Sequence, residues 1–287
     1  MSKYKQLLWS DMPSETSKKL IDEIAHTLQL YTVALLKVFV DKRSGNKKIT
    51  HIGSGTLVSI DNVYGILTAH HVIRELEYGE HLGLTIAREG QEHEFTIPKI
   101  DLHIIDIGIP ETEKNGPDLS FVVIPALNVG TIKATKHFYP ILPDQERMLS
   151  EDKPIVGIWC ICGSPEEMTI EESSEVFNKV ISFCNYCGIG GIPSYDEKEG
   201  WDYCEITVDY KQDSRIPQKF NGVSGGGLWQ ILIVSEPDNP YKIKDHILSG
   251  VVFWQSAKDG DSRNLRCHSR KSVYQKVIKA VQERNNK

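Results

Sequence analysis

Residues 221–229 read NGVSGGGLW, in which one serine stands among four glycines. A serine hydroxyl is a useful nucleophile at neutral pH only when a nearby base takes its proton and a third group orients that base. Glycine permits positive φ and close approach of the backbone, but ordering it carries a high entropic cost. Two interpretations follow: a flexible surface loop, or a tight turn that presents Ser224 and its neighbouring amides.

Two other stretches could supply the base and the orienting carboxylate. Most of the ten histidines are isolated among polar residues, a pattern typical of solvated or structural histidines. Residues 53–73, GSGTLVSIDNVYGILTAHHVI, read as a β-hairpin whose second strand ends at His70 and His71. Residues 116–125, GPDLSFVVIP, place Asp118 directly before an apolar strand, where a carboxylate is partly buried but can reach a neighbour.

The surrounding sequence indicates which elements position these residues. Residues 14–30 have apolar residues at helical spacing and predict an amphipathic helix. Short runs rich in β-branched and aromatic residues follow at regular spacing, which predicts a barrel or a sandwich. A polar stretch at 143–153 separates two sets of strands, and the tail from residue 269 predicts a terminal helix packed on the second set.

Composition limits the classes of function. The chain has 287 residues, 40% hydrophobic and 25% charged, as expected of an ordinary globular protein with one large domain or two packed ones. The net charge of -6 and the lack of a long basic run argue against a nucleic-acid partner. The N-terminus lacks the apolar centre of a signal peptide, and TVALLKVFV, interrupted by Lys37, is too short to span a bilayer. We therefore expect a soluble, cytoplasmic protein without membrane association.

The cysteines leave two alternatives open. All six lie in the second half of the chain: Cys160, Cys162, Cys184, Cys187, Cys204 and Cys267. In a cytosolic protein of this size we expect reduced core residues rather than disulfides. The two-residue gap between Cys184 and Cys187 would let two thiolates face one metal, with Cys160 and Cys162 as a second pair, so a structural zinc site is the alternative. We assign no metal to the chain.

The three stretches together resemble the trypsin-like (chymotrypsin-fold) serine proteases, especially their bacterial intracellular and HtrA-like branch. GSGTLV followed by ILTAHHVI is similar to the segment around the family's catalytic histidine and aligns that role with His71. DLSFVVI resembles the segment headed by the family's aspartate and points to Asp118, and GVSGG resembles the nucleophile motif and points to Ser224. The order of the three and their gaps of 47 and 106 residues also fit this family.

The resemblance implies an all-β fold: two six-stranded antiparallel β-barrels with an added N-terminal helix and a C-terminal helix. The implied domains are a helical extension at 1–30, a first barrel at 31–142 carrying His71 and Asp118, a second barrel at 143–265 carrying Ser224, and a helix at 266–287.

The resemblance also implies a serine endopeptidase that needs no cofactor. Ser224 would be the nucleophile, His71 the base and Asp118 the orienting carboxylate, while the amides of Gly222 and Ser224 would bind the oxyanion. The expected partners are a protein or peptide substrate and an activator or regulatory protein, with either a narrow set of targets or a site that the activator gates. The alternative is a catalytically silent pseudoprotease that acts as a peptide-binding or regulatory module.

The chain departs from the family beside the nucleophile and the aspartate. Val223 stands where secreted members have an aspartate that binds a newly cleaved N-terminus, so we do not expect activation by that cleavage. Phe253 replaces a serine that supports the family's aspartate, so Asp118 requires another hydrogen-bond donor.

Further departures concern the substrate pocket. The stretch GVVFW, residues 250–254, resembles the strand that lines the family's primary pocket, which assigns Phe253 and Trp254 to substrate binding. Gln255 stands at a position that is usually glycine and is expected to narrow the entrance. Gln218 and Lys219 occupy the region that sets charge preference. The lack of a carboxylate there predicts no preference for Lys or Arg, and an inward Lys219 would favour an acidic residue before the scissile bond.

Overall fold

The structure is a computed structural model that describes residues 14–40, 47–86, 95–112, 114–150, 157–172, 180–183, 186–191, 193–211, 216–234 and 241–285. Within these ranges the chain is mostly β-strand, arranged as two curled antiparallel sheets that each form a half-barrel. The predicted all-β, chymotrypsin-like double barrel is therefore confirmed. The described residues form eight and seven strands where six per barrel were predicted, and in the first sheet two strands of three and two residues account for the difference.

The first sheet contains eight strands in the described part of the chain. Helix α1 (Ser14–Gln29) precedes β1 (Thr32–Val40), β2 (Lys47–Ile60), β3 (Val63–Thr68), α2 (His70–Arg74), β4 (His81–Leu84), β5 (Thr96–Pro98), β6 (His103–Gly108), β7 (Leu119–Val123), α3 (Ala126–Lys133) and β8 (Tyr139–Pro140). The strand order is β5-β4-β1-β2-β3-β7-β6, and β8 pairs in parallel with β2. This order places the end of β3, which precedes His71, beside the start of β7, which follows Asp118.

The second sheet contains seven strands among the described residues. The elements are α4 (Gln145–Ser150), β9 (Ile158–Gly163), β10 (Thr169–Glu172), β11 (Val180–Phe183), β12 (Tyr186–Gly190), β13 (Ser194–Lys198), β14 (Trp201–Asp209), β15 (Gly227–Val234), β16 (Lys242–Gln255) and β17 (Ser262–His268). The order is β12-β9-β15-β16-β17-β14-β13, while β10 and β11 pair separately. A π-helical turn, Ser272–Val277, leads into α5 (Ile278–Asn285).

The C-terminal helical segment contacts the second sheet, on which the sequence predicted it to pack, and also contacts the first sheet. Tyr274 donates a hydrogen bond to the carbonyl of Leu248 on β16 at 2.7 Å. In α5, Arg284 Nε donates to His103 Nε2 on β6 at 2.8 Å. Helical periodicity identifies an apolar face but not the sheet that this face meets. Residues 266–268, assigned to the helix from sequence, form the end of β17.

The core between the two sheets is centred on Trp229 of β15, which is fully buried. Its ring lies 5.2 Å from that of Tyr139 on β8 and 5.4 Å from that of Tyr31, which lies between α1 and β1. Leu20, Ile24 and Leu28 of α1 are buried in the same cluster, as the amphipathic pattern predicts. One apolar core therefore holds the two sheets together, and with them the two halves of any site between them.

The described cysteines are unpaired thiols. Cys162 of β9 lies opposite Cys187 of β12, and hydrogen bonding to Cys187 together with burial raises the pKa of the Cys162 thiol. The described residues contain no group of three or more His, Cys, Asp or Glu side chains that could hold a metal, and Cys184 lies outside the described residues. Among the described helices none is both long and apolar enough to cross a membrane.

Replacing Trp229 tests this shared core. We expect Trp229→Ala to lower the free energy of unfolding by about 3 to 5 kcal/mol, because it leaves a cavity between the sheets. Ile170→Ala removes a side chain that is 49% exposed, and surface changes of this kind cost less than about 0.5 kcal/mol. Urea unfolding followed by far-UV circular dichroism measures both. Small and equal losses of the free energy of unfolding in the two variants would contradict the assignment of Trp229 to the core.

Candidate active site

The end of β3 sets the position of His71. Strand β3 is buried over its last four residues, and Ala69 continues it with φ -73° and ψ 144° before α2 begins at His70. The change from strand to helix turns successive side chains in different directions. His70 is buried, whereas the side chain of His71 is 30% exposed.

Asp118 holds His71 through both carboxylate oxygens. Its side chain is fully buried; Oδ2 lies 2.5 Å from His71 Nδ1 and Oδ1 accepts from the His71 backbone N–H at 2.9 Å. A carboxylate only accepts hydrogen bonds, so it selects the tautomer protonated at Nδ1. Nε2 is then the basic atom, as required of a histidine that takes a proton from a hydroxyl.

His268 supports Asp118 from the second sheet. The backbone N–H of Asp118 donates to His268 Nε2 at 2.9 Å, and the His268 ring is fully buried 4.7 Å from the ring of Phe253. Burial lowers the pKa of His268 to about 3, so the ring is neutral and can accept. In the family a serine at the position of Phe253 supports the aspartate. Here the backbone N–H and the ring of His71 are the donors to the Asp118 carboxylate. Sequence reasoning missed His268, since no motif marks a buried histidine at the end of the largely polar strand β17, SRNLRCH.

The other histidine of the pair belongs to a separate network. His70 Nδ1 lies 3.0 Å from Asp106 Oδ1 and 3.1 Å from Ser120 Oγ, and Ser120 donates to Asp106 at 2.9 Å. Ser120 is fully buried and out of reach of a substrate. The network ties the start of α2 to β6 and β7, and so braces the elements that carry His71 and Asp118.

The segment 220–226 is called the oxyanion turn after the role that the family resemblance implies for it, and it needs glycine at two positions. Gly222 has φ +86° and Gly225 has φ +88°, a conformation that other residues rarely adopt. A Cβ at Gly225 would also overlap the Ser54 carbonyl and the Thr68 hydroxyl, and one at Gly222 would overlap His51. The glycines therefore build a tight turn packed against β2 and β3, which excludes the flexible-loop interpretation.

Hydrogen bonds orient the peptides of the oxyanion turn. The Asn221 carbonyl accepts from Glu166 N at 2.8 Å, and the Val223 carbonyl accepts from Gly226 N at 2.8 Å. In a trans peptide the C=O and the next N–H point in opposite directions. The amides of Gly222 and Ser224 therefore point away from these partners, and neither donates a hydrogen bond to another described residue. Such amides are available to an oxygen that gains negative charge.

Gly53 of β2 brings the two halves of the site together. A Cβ at this position would lie 2.7 Å from the side chain of Val72 and 3.1 Å from the carbonyl oxygen of Ser224. The residue after His71 and the serine itself thus pack against the same point of β2. No hydrogen bond joins Ser224 Oγ to another described residue; in unliganded sites such bonds are often long and shorten when substrate binds.

Gln255 spans the space between β16 and the oxyanion turn. Its Oε1 accepts from Phe220 N at 3.0 Å and also from Arg263, while its Nε2 donates to Asn221 Oδ1 at 2.7 Å. These contacts place the side chain across the walls that the family resemblance assigns to the primary pocket. Phe253 lies buried behind the strand and Trp254 is half-buried.

Gln218 and Lys219 directly precede the oxyanion turn and are exposed. Glu167 accepts from the backbone N–H of Gln218 at 2.6 Å and from that of Lys219 at 3.0 Å. The Gln218 side chain accepts from Lys258 Nζ at 3.2 Å, and the Lys219 side chain is exposed. Exposure gives no support to the inward orientation of Lys219 on which a preference for acidic residues would depend.

Comparisons with known proteins give structural similarity alone. No family model matches the sequence, and no curated protein matches it. An HtrA-type protease, AlgW, solved with a decapeptide, has a TM-score of 0.48 at 13% identity over 92% of this chain and 67% of that chain. A structure concerned with the coupled folding and binding of the disordered Sesbania mosaic virus VPg protein has a TM-score of 0.41 at 17% identity, over 86% and 91%. Because both TM-scores are below 0.5, neither carries an argument about activity.

His268 predicts a specific pH dependence of stability. Its folded pKa of about 3 lies below the ordinary 6.5, so its contribution is complete above pH 6.5 and is lost as the pH falls toward 3. We expect His268→Leu to weaken this dependence, and at pH 7 to lower the free energy of unfolding by about 1 to 3 kcal/mol, because Asp118 N–H loses its acceptor. Urea unfolding between pH 7 and pH 4 measures both effects.

The matched variant is His268→Gln, which supplies an acceptor oxygen but does not titrate. At pH 7 it should recover part of the free energy of unfolding that His268→Leu loses. Its pH dependence should stay as weak as that of His268→Leu. Wild-type pH dependence in both variants would show that His268 does not titrate on unfolding.

Proposed function

We propose that the protein is a serine endopeptidase with Ser224 as nucleophile, His71 as general base and Asp118 as the residue that orients His71. The observation that carries this proposal is the His71–Asp118 pair, whose neighbour Val72 packs against Gly53 of β2, as does the carbonyl of Ser224. A buried carboxylate that accepts from Nδ1 and from the backbone of one histidine is suited to fixing a catalytic base.

The proposed reaction proceeds through an acyl-enzyme. Ser224 Oγ attacks the scissile carbonyl carbon as its proton passes to His71 Nε2, and the carbonyl oxygen becomes an oxyanion facing the amides of Gly222 and Ser224. The C–N bond then breaks as His71 returns the proton to the leaving amine. A water molecule, deprotonated by His71, hydrolyses the resulting ester and frees Ser224. Each oxyanion donor of this kind typically lowers the barrier by about 3 to 4 kcal/mol.

The pocket supports a restricted range of substrates. Gln255 occupies the entrance with its amide bonded on both sides, so a side chain entering the pocket has to fit beside it or displace it. No carboxylate is present at Gln218 or Lys219 to attract a basic side chain. A protein or peptide substrate with a narrow sequence preference fits this arrangement best. The cytosolic location, the regulatory partner and the bacterial HtrA-like branch stay predictions from the sequence.

Labelling with a fluorophosphonate tests the proposed nucleophile. We expect covalent labelling of wild-type protein at Ser224, none in Ser224→Ala, and a fall of about 10³- to 10⁴-fold in the labelling rate of His71→Ala and Asp118→Asn, which lose the base and its correct tautomer. In-gel fluorescence gives the rates, and peptide mass spectrometry locates the adduct.

Ser120→Ala is the matched control, because it removes a buried hydroxyl near the site that the proposed mechanism does not use. It should keep labelling within about threefold of wild type if its hydrogen bond only braces α2. Folded wild-type protein that remains unlabelled at all concentrations would favour the pseudoprotease alternative.

A peptide library tests the pocket. We expect cleavage sites in which Lys and Arg are not enriched before the scissile bond, and we expect Gln255→Gly to admit larger residues there, since it removes the side chain from the entrance. Mass spectrometry of the cleaved library reads both profiles. A wild-type profile dominated by basic residues, or an unchanged profile in Gln255→Gly, would contradict the placement of the pocket.

A further inference from the structure

The side chain of Ser54 on β2 makes hydrogen bonds both to the oxyanion turn and to the segment that follows β9. Ser54 of β2 is fully buried, and its hydroxyl donates to the Gly222 carbonyl at 2.6 Å while accepting from the Ser164 backbone N–H at 2.8 Å. The hydroxyl therefore uses its single proton on the turn and a lone pair on the segment after β9.

The backbone of Ser54 adds two further hydrogen bonds. Its N–H donates to the Ser224 carbonyl at 2.8 Å, and its carbonyl accepts from the Thr68 hydroxyl at 2.7 Å. Thr68 ends β3, just before the helix that carries His71. Ser54 is thus hydrogen-bonded to the proposed nucleophile residue and to the strand that positions the proposed base.

These contacts act on the two peptides that flank the Cα atom of Gly222. The Gly222 amide is oriented from the Asn221 side by the hydrogen bond from Glu166 N, which lies two residues after Ser164. Ser54 fixes the carbonyl on the other side of Gly222 and also fixes Ser164. Rotation of the Asn221–Gly222 peptide would turn the Gly222 N–H away. Hydrogen bonds on both sides of Gly222 oppose this rotation. The Ser54 hydroxyl makes one of them directly and supports the other through Ser164.

No charged group performs this task from within the turn. Val223 is fully buried among apolar residues of the second sheet and cannot take part in an ion pair. The turn is fixed instead by neutral hydrogen bonds from β2, which form on folding and require no cleavage of the chain.

We propose that Ser54 is a positioning residue. It keeps the oxyanion turn in the conformation in which the amides of Gly222 and Ser224 are available to an oxyanion, without an activating cleavage. This inference rests on the proposed function and assigns the regulation of the same site. Under it, the oxyanion amides are in place in the unliganded protein, and any restraint on activity acts at the pocket entrance rather than at the turn.

The experiment measures labelling of Ser224 by a rhodamine-linked fluorophosphonate at several concentrations, which separates the maximal rate from the half-saturating concentration. We expect Ser54→Ala to lower the maximal rate about ten- to a hundredfold with the half-saturating concentration within about twofold, since a misplaced oxyanion donor acts in the transition state. Ser54→Thr keeps the hydroxyl and should retain a rate within about threefold of wild type.

The matched control is Ser59→Ala. Ser59 lies on the same strand, and its hydroxyl makes no hydrogen bond to another described residue. It should label at the wild-type rate. Equal losses in Ser54→Thr and Ser54→Ala would overturn the role of the hydroxyl.

Amide hydrogen exchange of residues 220–226 gives a readout that does not need activity. Ser54→Ala should accelerate exchange in this segment about tenfold and leave α5 unchanged, because the turn opens locally. Unchanged labelling and unchanged exchange in a folded Ser54→Ala protein would overturn the inference. An unlabelled wild type combined with accelerated exchange in Ser54→Ala would refute the proposed function while supporting the positioning by Ser54.

Discussion

A buried carboxylate is the constraint on which the site depends. Asp118 is fully removed from solvent, and its two oxygens are satisfied by the backbone and the ring of His71 alone among the described residues. Leaving a buried charge without donors would cost several kcal/mol, so the position of His71 is coupled to the stability of the fold. The Asp118 amide in turn binds His268 of the second sheet, which joins this pair to the other half of the molecule.

Two sets of hydrogen bonds cross between the sheets at the site. His268 reaches from the second sheet to Asp118, and Ser54 reaches from the first sheet to the turn that carries Ser224. Both side chains are neutral and fully buried, so solvent and salt do not weaken these bonds. The relative position of the proposed base and the proposed nucleophile is therefore set by these hydrogen bonds above a shared apolar core, without a disulfide among the described cysteines.

The sequence was informative where the chemistry is local. The segments around His71, Asp118 and Ser224 each combine a strand with a characteristic end, so pattern and resemblance could single them out as candidates. His268 and Ser54 could not be found in this way, because their partners lie 150 and 168 residues away along the chain. The first sheet exceeds the predicted six strands by β5 and β8, because strands of two or three residues carry no periodic signal. The C-terminal helix was predicted, but its contacts with both sheets depend on tertiary packing.

We propose that His71, Asp118 and the oxyanion turn form one site around Ser224. A crystal structure of the protein with a peptide boronate tests it most directly, because boron forms a tetrahedral adduct that mimics the charged intermediate. We expect a bond from Ser224 Oγ to boron, His71 Nε2 in contact with the adduct, and one boronate oxygen about 2.7 to 3.1 Å from the amides of Gly222 and Ser224. An unreacted Ser224, or a bound boronate whose oxygens do not meet these amides, would contradict it.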